Sequence, residues 1–178
     1  KKKKKELDEL FTFALVKHAK DGNVEFVERF MKEGGDVNAL EKKSGWNALH
    51  TATKFGHHHF LKILLKNGAN VNAVTRHRKQ TALHLACLFH QFDCVKLLVD
   101  AGCNVNVKDW KNMPPIIYAM DQEEGPSIKD FLIEHGSVQI NYDWMMGNMG
   151  MMEFDLGNGI SGFSIQAPSM EGEPGEGL

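Results

Sequence analysis

A 34-residue period runs through most of this chain and restricts its fold more than any other feature. Glycine recurs at Gly34, Gly68, Gly102 and Gly136, each time after an apolar pair and shortly before a pair made of Val or Ile and Asn. Those later pairs are Val37-Asn38, Val71-Asn72, Val105-Asn106 and Ile140-Asn141. A unit of this size cannot bury its own apolar face, so such units stack on one another and share a core. The period therefore predicts a linear array of about four repeats.

One unit, NALHTATKFGHHHFLKILLKNG at residues 47–68, predicts a short helix, a tight turn and a second helix. Asn47 is a residue type that caps a helix, because its side chain accepts backbone N–H bonds. Leu49 belongs to the buried face of the first helix, and Gly56 ends that helix where a positive φ is needed. The apolar residues from Phe60 onward have the spacing of an amphipathic second helix.

Two units, NALHTATKFGH…LKILLKNGANVN and TALHLACLFHQ…VKLLVDAGCNVN, closely resemble the ankyrin repeat signature, T-P-L-H-x-A-A-x-x-G-H followed by V-x-x-L-L-x-x-G-A-x-V-N. The first unit, with Leu15 but no Leu-His pair, and the fourth, with Ile117 in place of the histidine, are degenerate. The resemblance covers residues 8–141. It implies an all-α ankyrin repeat solenoid of helix-turn-helix pairs with projecting hairpin fingers. It also implies that His50 and His84 bond to backbone between repeats.

Charge and composition divide the chain into a basic segment at residues 1–7, the repeats at 8–141 and an acidic tail at 142–178. Up to residue 141 there are 21 basic and 17 acidic side chains, a net charge of +4, whereas the tail carries −6. The tail is rich in Gly and Met and has no repeat phasing. We expect an extended arm that packs on the last repeat and the basic groove, or on neighbours in an assembly.

Cysteine usage and hydropathy favour a cytoplasmic protein. Cys87, Cys94 and Cys103 are odd in number, form no CxxC pair and fall at packing positions, which indicates buried thiols in a reducing compartment. No apolar run approaches the roughly 20 residues of a membrane span, so no membrane partner is expected, and no signal peptide is recognisable. Lys1 to Lys5 leave a nuclear location open, although a solvated basic end is the simpler interpretation.

No pattern in the sequence predicts catalysis. It contains no glycine-rich phosphate loop, no nucleophile with a neighbouring base and no paired-carboxylate site. His57, His58 and His59 are adjacent in a turn, where three neighbours cannot close a tetrahedral metal site alone. We therefore expect a non-enzymatic chain with no cofactor, no metal and no small-molecule substrate.

Partner binding is expected from side chains that the core does not need, which in ankyrin-like stacks lie on the fingers and the concave face of the first helices. The candidates are aromatic, apolar or cationic residues outside the buried stripes: Trp46, Lys54, Phe55, Arg76, His77, Arg78, Lys79, Leu88, Phe89, Trp110, Lys111 and Met113. With Lys42 and Lys43 they would form one aromatic patch with a basic rim, as is typical of protein-interaction surfaces. For Leu88 and Phe89 the alternative is local packing that compensates for a missing turn glycine at His90.

The three fingers, at residues 38–47, 72–81 and 106–114, differ in length. Nine residues separate Asn38 from Asn47 and Asn72 from Thr81, against eight from Asn106 to Pro114. The first two fingers are therefore predicted to be one residue longer than the third.

Three roles follow from these features. The leading hypothesis is a protein-binding adaptor within a multi-protein complex, which grips an acidic-aromatic segment of a partner. The second is nucleic-acid contact through the basic N-terminus and the Arg76 to Lys79 finger, because clustered cations neutralise phosphate and Trp side chains stack on bases. The third is that Asn38, Asn72 and Asn106 are acceptors for an asparagine hydroxylase, as the resemblance of their loops implies.

Overall fold

The computed structural model describes residues 2–42, 44–119, 127–137, 154–155 and 161–162, with side chains from Glu9 to residue 137. Two compact units divide the chain, residues 1–138 and residues 139–178. The described residues of the repeats lie in the first unit, and the second contains the acidic tail.

Helices alternate with turns and loops as the sequence predicts. They are α1 Lys2–Asp21, α2 Val24–Lys32, α3 Ala48–Lys54, α4 His58–Lys66, α5 Ala82–Leu88, α6 Phe92–Asp100 and α7 Ile128–Glu134, with a 3₁₀ helix at Pro115–Ala119 before α7. The prediction of an all-α fold of helix pairs is confirmed. Helix α1 begins at Lys2, so the basic segment and the first repeat share one continuous helix.

The helices stack in two parallel rows. Helix α1 packs on α3, α3 on α5, and α5 on the 3₁₀ helix, while α2 packs on α4 and α4 on α6. Leu49, Leu64, Leu83 and Leu98 are at most 1% exposed and fill the space between repeats. Because each repeat contacts mainly its neighbours, the core is continuous along the stack.

Each central repeat is tied to the next by a buried histidine. The Asn47 side chain accepts the N–H of His50, and the His50 Nδ1 accepts the N–H of Asn47 at 3.3 Å. The proton of the neutral ring is then on Nε2, which donates to the Ala73 carbonyl at 3.1 Å. His84 repeats this arrangement and donates to the Met113 carbonyl at 3.1 Å. The role that the resemblance implies for these histidines is confirmed.

Burial keeps both rings neutral. It lowers the pKa of His50 to about 4, although the backbone hydrogen bonds to Ala73 and Gln80 act in the opposite direction. Burial also lowers the pKa of His84, against smaller raising contributions from the Met113 carbonyl and the Asp109 charge. A neutral ring is what the interlocking bonds require, because a protonated Nδ1 could not accept the cap N–H.

The fingers are tight turns rather than hairpins with regular strands. Within their described residues one β-bridge occurs, between Val74 and Thr81. An N–H to carbonyl bond closes each tip, and its span is five residues in the first two fingers and four in the third, so the predicted difference in length is confirmed. The bonded pairs are Glu41 and Trp46, Thr75 and Gln80, and Asp109 and Met113.

Among the described residues, three other than glycine have a positive φ. His90 has φ 53° at the turn position of Gly22 and Gly56, and Lys79 and Asn112 have φ 51° and 63° at the position that Gly45 occupies in the first finger. Residues other than glycine adopt this left-handed conformation at a cost of roughly 1–2 kcal/mol. The turn of the third repeat and the second and third fingers therefore carry local strain.

The fourth repeat is degenerate, as predicted. Pro114 and Pro115 lack backbone N–H groups, and a short 3₁₀ helix of five residues replaces the first α-helix. In the second unit, β1 Phe154–Asp155 pairs antiparallel with β2 Ser161–Gly162. The rest of the predicted extended tail lies outside the described residues.

Candidate partner-binding surface

Four of the predicted side chains meet where helices α3 and α5 end. The Lys54 Nζ lies 5.3 Å from the centroid of the Phe89 ring and 5.7 Å from the centroids of Trp46 and Phe55. Separations under about 6 Å are those of cation–π contacts. These four residues are called the aromatic–lysine cluster below.

Repeat geometry explains why the cluster forms. Helices α3 and α5 end at Lys54 and Leu88, so Phe55 and Phe89 are their C-cap residues and lie one repeat apart on the same edge of the stack. From the preceding repeat, the Lys20 Nζ lies 5.7 Å from the centroid of the Phe55 ring. The contacts around the cluster therefore run across three successive repeats.

The cluster is accessible without being fully solvated. Phe55 is 42% exposed, whereas Trp46, Lys54, Leu88 and Phe89 are half-buried. Half-burial is compatible both with a role in partner binding and with the local packing that the sequence leaves as the alternative for Leu88 and Phe89. The assignment of these residues to an interface stays a prediction.

The tips of the fingers form a second group. The Arg76 side chain donates to the Lys42 carbonyl at 3.0 Å, and the Trp110 N–H donates to the Arg78 carbonyl at 3.1 Å. The Trp110 ring is 57% exposed and has the Lys111 Nζ 5.1 Å from its centroid. His77 and Lys79 are exposed on the second finger between these contacts.

The geometry differs from the single predicted patch in two ways. The cation–π contacts join Trp46 to Lys54, Phe55 and Phe89, whereas Trp110 is bonded among the finger tips. Met113 is 3% exposed, so its predicted place on the free surface is wrong. Its carbonyl closes the third finger and also accepts the His84 bond. Lys43 of the predicted rim lies outside the described residues.

Comparison with known families decides what this array is. The family model described as ankyrin repeats (3 copies) matches residues 15–109 and again residues 73–143. Together the two matches span most of the chain. The chain belongs to the ankyrin repeat family. Repeats of this family generally mediate protein–protein interactions and are typically not enzymes. A comparison with curated proteins gives no match.

The ankyrin loop asparagines have a structural role. Asn38 Oδ1 accepts the N–H of Asn70 at 2.7 Å, and Asn38 Nδ2 donates to the Gly68 carbonyl at 3.2 Å. In the same way, Asn72 Oδ1 accepts the N–H of Asn104, and Asn106 Nδ2 donates to the Gly136 carbonyl. These bonds join successive repeats. Hydroxylation of the three asparagines stays a prediction, for which the readout is a gain of one oxygen in intact mass after incubation with a hydroxylase.

The three thiols stay protonated at neutral pH. The three cysteines are free thiols. Burial raises the pKa of Cys94 to about 12 and of Cys103 to about 11, and it raises that of Cys87 further. Such thiols stay protonated and are weak nucleophiles.

In the described residues no group of three His, Cys, Asp or Glu side chains is placed to hold a metal ion. None of the described helices is long and apolar enough to cross a membrane.

Sequence reasoning missed an exposed apolar region at the N-terminal end of the ankyrin array. Phe11, Phe13 and Leu40 are 46%, 59% and 54% exposed. A usable signal was present, because two residues along a helix correspond to a rotation of about 200°. Phe13 therefore lies on the side of α1 opposite Leu15, which is fully buried.

Proposed function

We propose that this ankyrin array is a non-enzymatic adaptor that binds an acidic, aromatic-containing segment of a partner protein at the aromatic–lysine cluster. The observation that carries the proposal is the position of the Lys54 ammonium among the rings of Trp46, Phe55 and Phe89, at 5.3–5.7 Å from their centroids. A carboxylate can pair with the ammonium while the rings cover the apolar part of the same segment.

Charge supports this class of partner. Lys20 and Lys54 are at the cluster, and the second finger carries Arg76, Arg78 and Lys79 with no acidic residue between Asn72 and Thr81. Positive charge around an apolar centre steers an acidic segment toward it and fixes its orientation. We propose that the fingers set the association rate and that the aromatic rings set the residence time.

The proposed setting is a multi-protein complex in the cytoplasm, with the nucleus as the alternative. Three free thiols agree with a reducing compartment. In this proposal the acidic tail at 142–178 is an arm that anchors the adaptor to its complex.

The test is a comparative pull-down. The full chain, a Phe55→Ala/Phe89→Ala double variant and a His59→Ala control are immobilised at equal folded fraction, and captured proteins are quantified by mass spectrometry. His59 is exposed on α4 and makes none of the cluster contacts. The proposal requires a captured protein that the double variant loses and the control keeps. Equal capture by all three proteins would contradict it.

A second candidate function, nucleic-acid binding, is favoured by the finger tips. Trp110 is 57% exposed beside Lys111 and next to the Arg78 backbone, which is the combination of stacking surface and cation that single strands use. The test is binding of labelled single-stranded RNA and DNA at several salt concentrations. A steep salt slope that Lys111→Ala reduces, together with an affinity that Trp110→Ala weakens at every salt concentration, would favour this function over the adaptor.

A further inference from the structure

A groove at the N-terminal end of the array is separate from the aromatic–lysine cluster. Of the seven large apolar side chains that are exposed in the described part of the chain, four lie at this end: Leu10, Phe11, Phe13 and Leu40, which are 46–62% exposed. Phe11 and Phe13 on α1 line a groove of about 860 Å³ together with residues of the loop that leads into the first finger. Exposed apolar side chains gathered in one concave region mark a binding site.

The floor and one wall of the groove are well defined. Phe30 is 8% exposed at its base, and the Phe11 ring meets it edge-on with a centroid distance of 6.3 Å. Gly35 passes so close to the Phe30 ring that an added Cβ would collide with it. The backbone of Gly34 and Gly35 therefore forms one wall, and no side chain from these positions fills the space.

Acidic groups line the rim of this apolar groove. They are Glu9, Glu33, Asp36 and Glu41. Lys42 pairs with Glu9, and Arg29 pairs with Glu33 at 2.9 Å, so the four rim carboxylates and these two cations sum to a charge of −2. The sign is opposite to that of the aromatic–lysine cluster, so the two surfaces select different ligands.

We propose that the groove between α1 and the first-finger loop binds a segment of a partner protein in which apolar and Lys or Arg side chains alternate. The apolar side chains lie against Phe11, Phe13 and Leu40, and the cations face the acidic rim. The chain's own tail carries a charge of −6 and a second copy presents the same acidic rim, so charge disfavours both as occupants. This site is independent of the proposed adaptor function at the cluster, and either can fail alone.

The probe is a capped, labelled peptide of about ten residues with alternating Leu and Arg, measured by fluorescence anisotropy against the full chain. A peptide with Glu at every Arg position is the matched ligand control. We expect the Leu/Arg peptide to bind with an affinity that falls as salt rises, and the Leu/Glu peptide not to bind. Equal affinity for both peptides, or no binding of the Leu/Arg peptide, would overturn the proposal.

Variants locate the site. Phe13→Ser and Leu40→Ser change exposed side chains and should weaken binding of the Leu/Arg peptide by about tenfold or more while leaving thermal melts near the wild-type value. Glu33→Lys should weaken it several-fold, whereas Glu28→Lys, an exposed position on α2 away from the groove, should not. Unchanged affinity in Phe13→Ser would overturn the assignment.

If the groove were occupied by a second copy of the chain or by the chain's own tail, the experiments would give different results. A concentration-dependent dimer in sedimentation that Phe13→Ser abolishes would assign the groove to a second copy. Displacement of the probe by a synthetic peptide of residues 142–178 would assign it to the tail. Either result would overturn the proposal of a basic partner segment without affecting the cluster at Lys54.

Discussion

The ammonium nitrogen of Lys54, in the second repeat, lies 5.3 Å from the centroid of the Phe89 ring in the third repeat. The two residues are thus joined across a repeat boundary at the surface, in addition to the hydrogen bond from the His50 ring to the Ala73 carbonyl. Two further rings, Trp46 and Phe55, surround the same ammonium. In the proposed function, this ammonium accepts a carboxylate of the partner with little rearrangement.

Phe55→Ala should weaken partner binding by about 1–3 kcal/mol, as truncation of an aromatic anchor does. Because Phe55 is 42% exposed, its loss leaves no buried cavity, and the melting temperature should stay close to that of the wild type. Phe89 is half-buried, so Phe89→Ala should lower stability more. Titration against the captured partner, with thermal melts in parallel, measures both effects. If Phe55→Ala binds like the wild type, the cluster is not the contact.

Lys79→Glu should slow association with an acidic partner and reduce its salt dependence, with little change in the dissociation rate. Lys79 is exposed at a finger tip, where a charge acts on the approaching partner rather than on the formed contact. Surface plasmon resonance at two salt concentrations separates the two rates. Lys66→Glu, an equal charge change at an exposed position on α4, is the control. A change confined to the dissociation rate would place Lys79 inside the interface.

Acidification should destabilise the array between pH 7 and pH 5 because of His50. The unfolded chain protonates this residue near pKa 6.5, whereas in the folded protein the pKa is about 4. In this range the unfolded state binds more protons, so stability falls as pH falls, by about 2 kcal/mol from His50 alone. The lowered pKa of His84 acts in the same direction.

Urea unfolding at both pH values checks this, with His50→Gln as the comparison. Glutamine can still accept the cap N–H but does not titrate, so the variant should be less stable at pH 7 and less sensitive to acid. Identical pH slopes in variant and wild type would show that His50 does not carry the effect.

His90→Gly should stabilise the protein by about 1 kcal/mol. His90 has φ 53°, and glycine occupies the matching turn position at Gly22 and Gly56 without the steric cost of a Cβ. His59→Gly, a helical position on α4, should instead destabilise by a similar amount. Denaturant midpoints compare the three proteins. A less stable His90→Gly variant would mean that the His90 side chain makes contacts worth more than the strain.

The periodic features of the chain could be predicted from sequence because they repeat. Asn47, His50 and Gly56 each have a structural role that recurs with the 34-residue period. The helix caps, the interlocking histidines and the turns could therefore be predicted directly from the sequence. The difference in finger length followed from counting. The exposed groove at Phe11 and Phe13 did not, because α1 is helical at positions where the other repeats have finger and cap residues, so the period does not show what those side chains do. Met113 was misjudged because the position before the helix cap is buried in the third finger as it is in the second, where Gln80 is 4% exposed, and only Trp46 in the first finger is half-buried there.

Site-specific photo-crosslinking tests the central claim most directly. A photoreactive phenylalanine analogue replaces Phe89 in the aromatic–lysine cluster or, as the control, Lys62, which is exposed on α4. Crosslinked partner peptides are then sequenced by mass spectrometry. The adaptor proposal predicts crosslinks from position 89 to a segment with Asp or Glu beside an aromatic residue, and few or none from position 62. Crosslinks to a partner from position 62 but not from position 89 would contradict it.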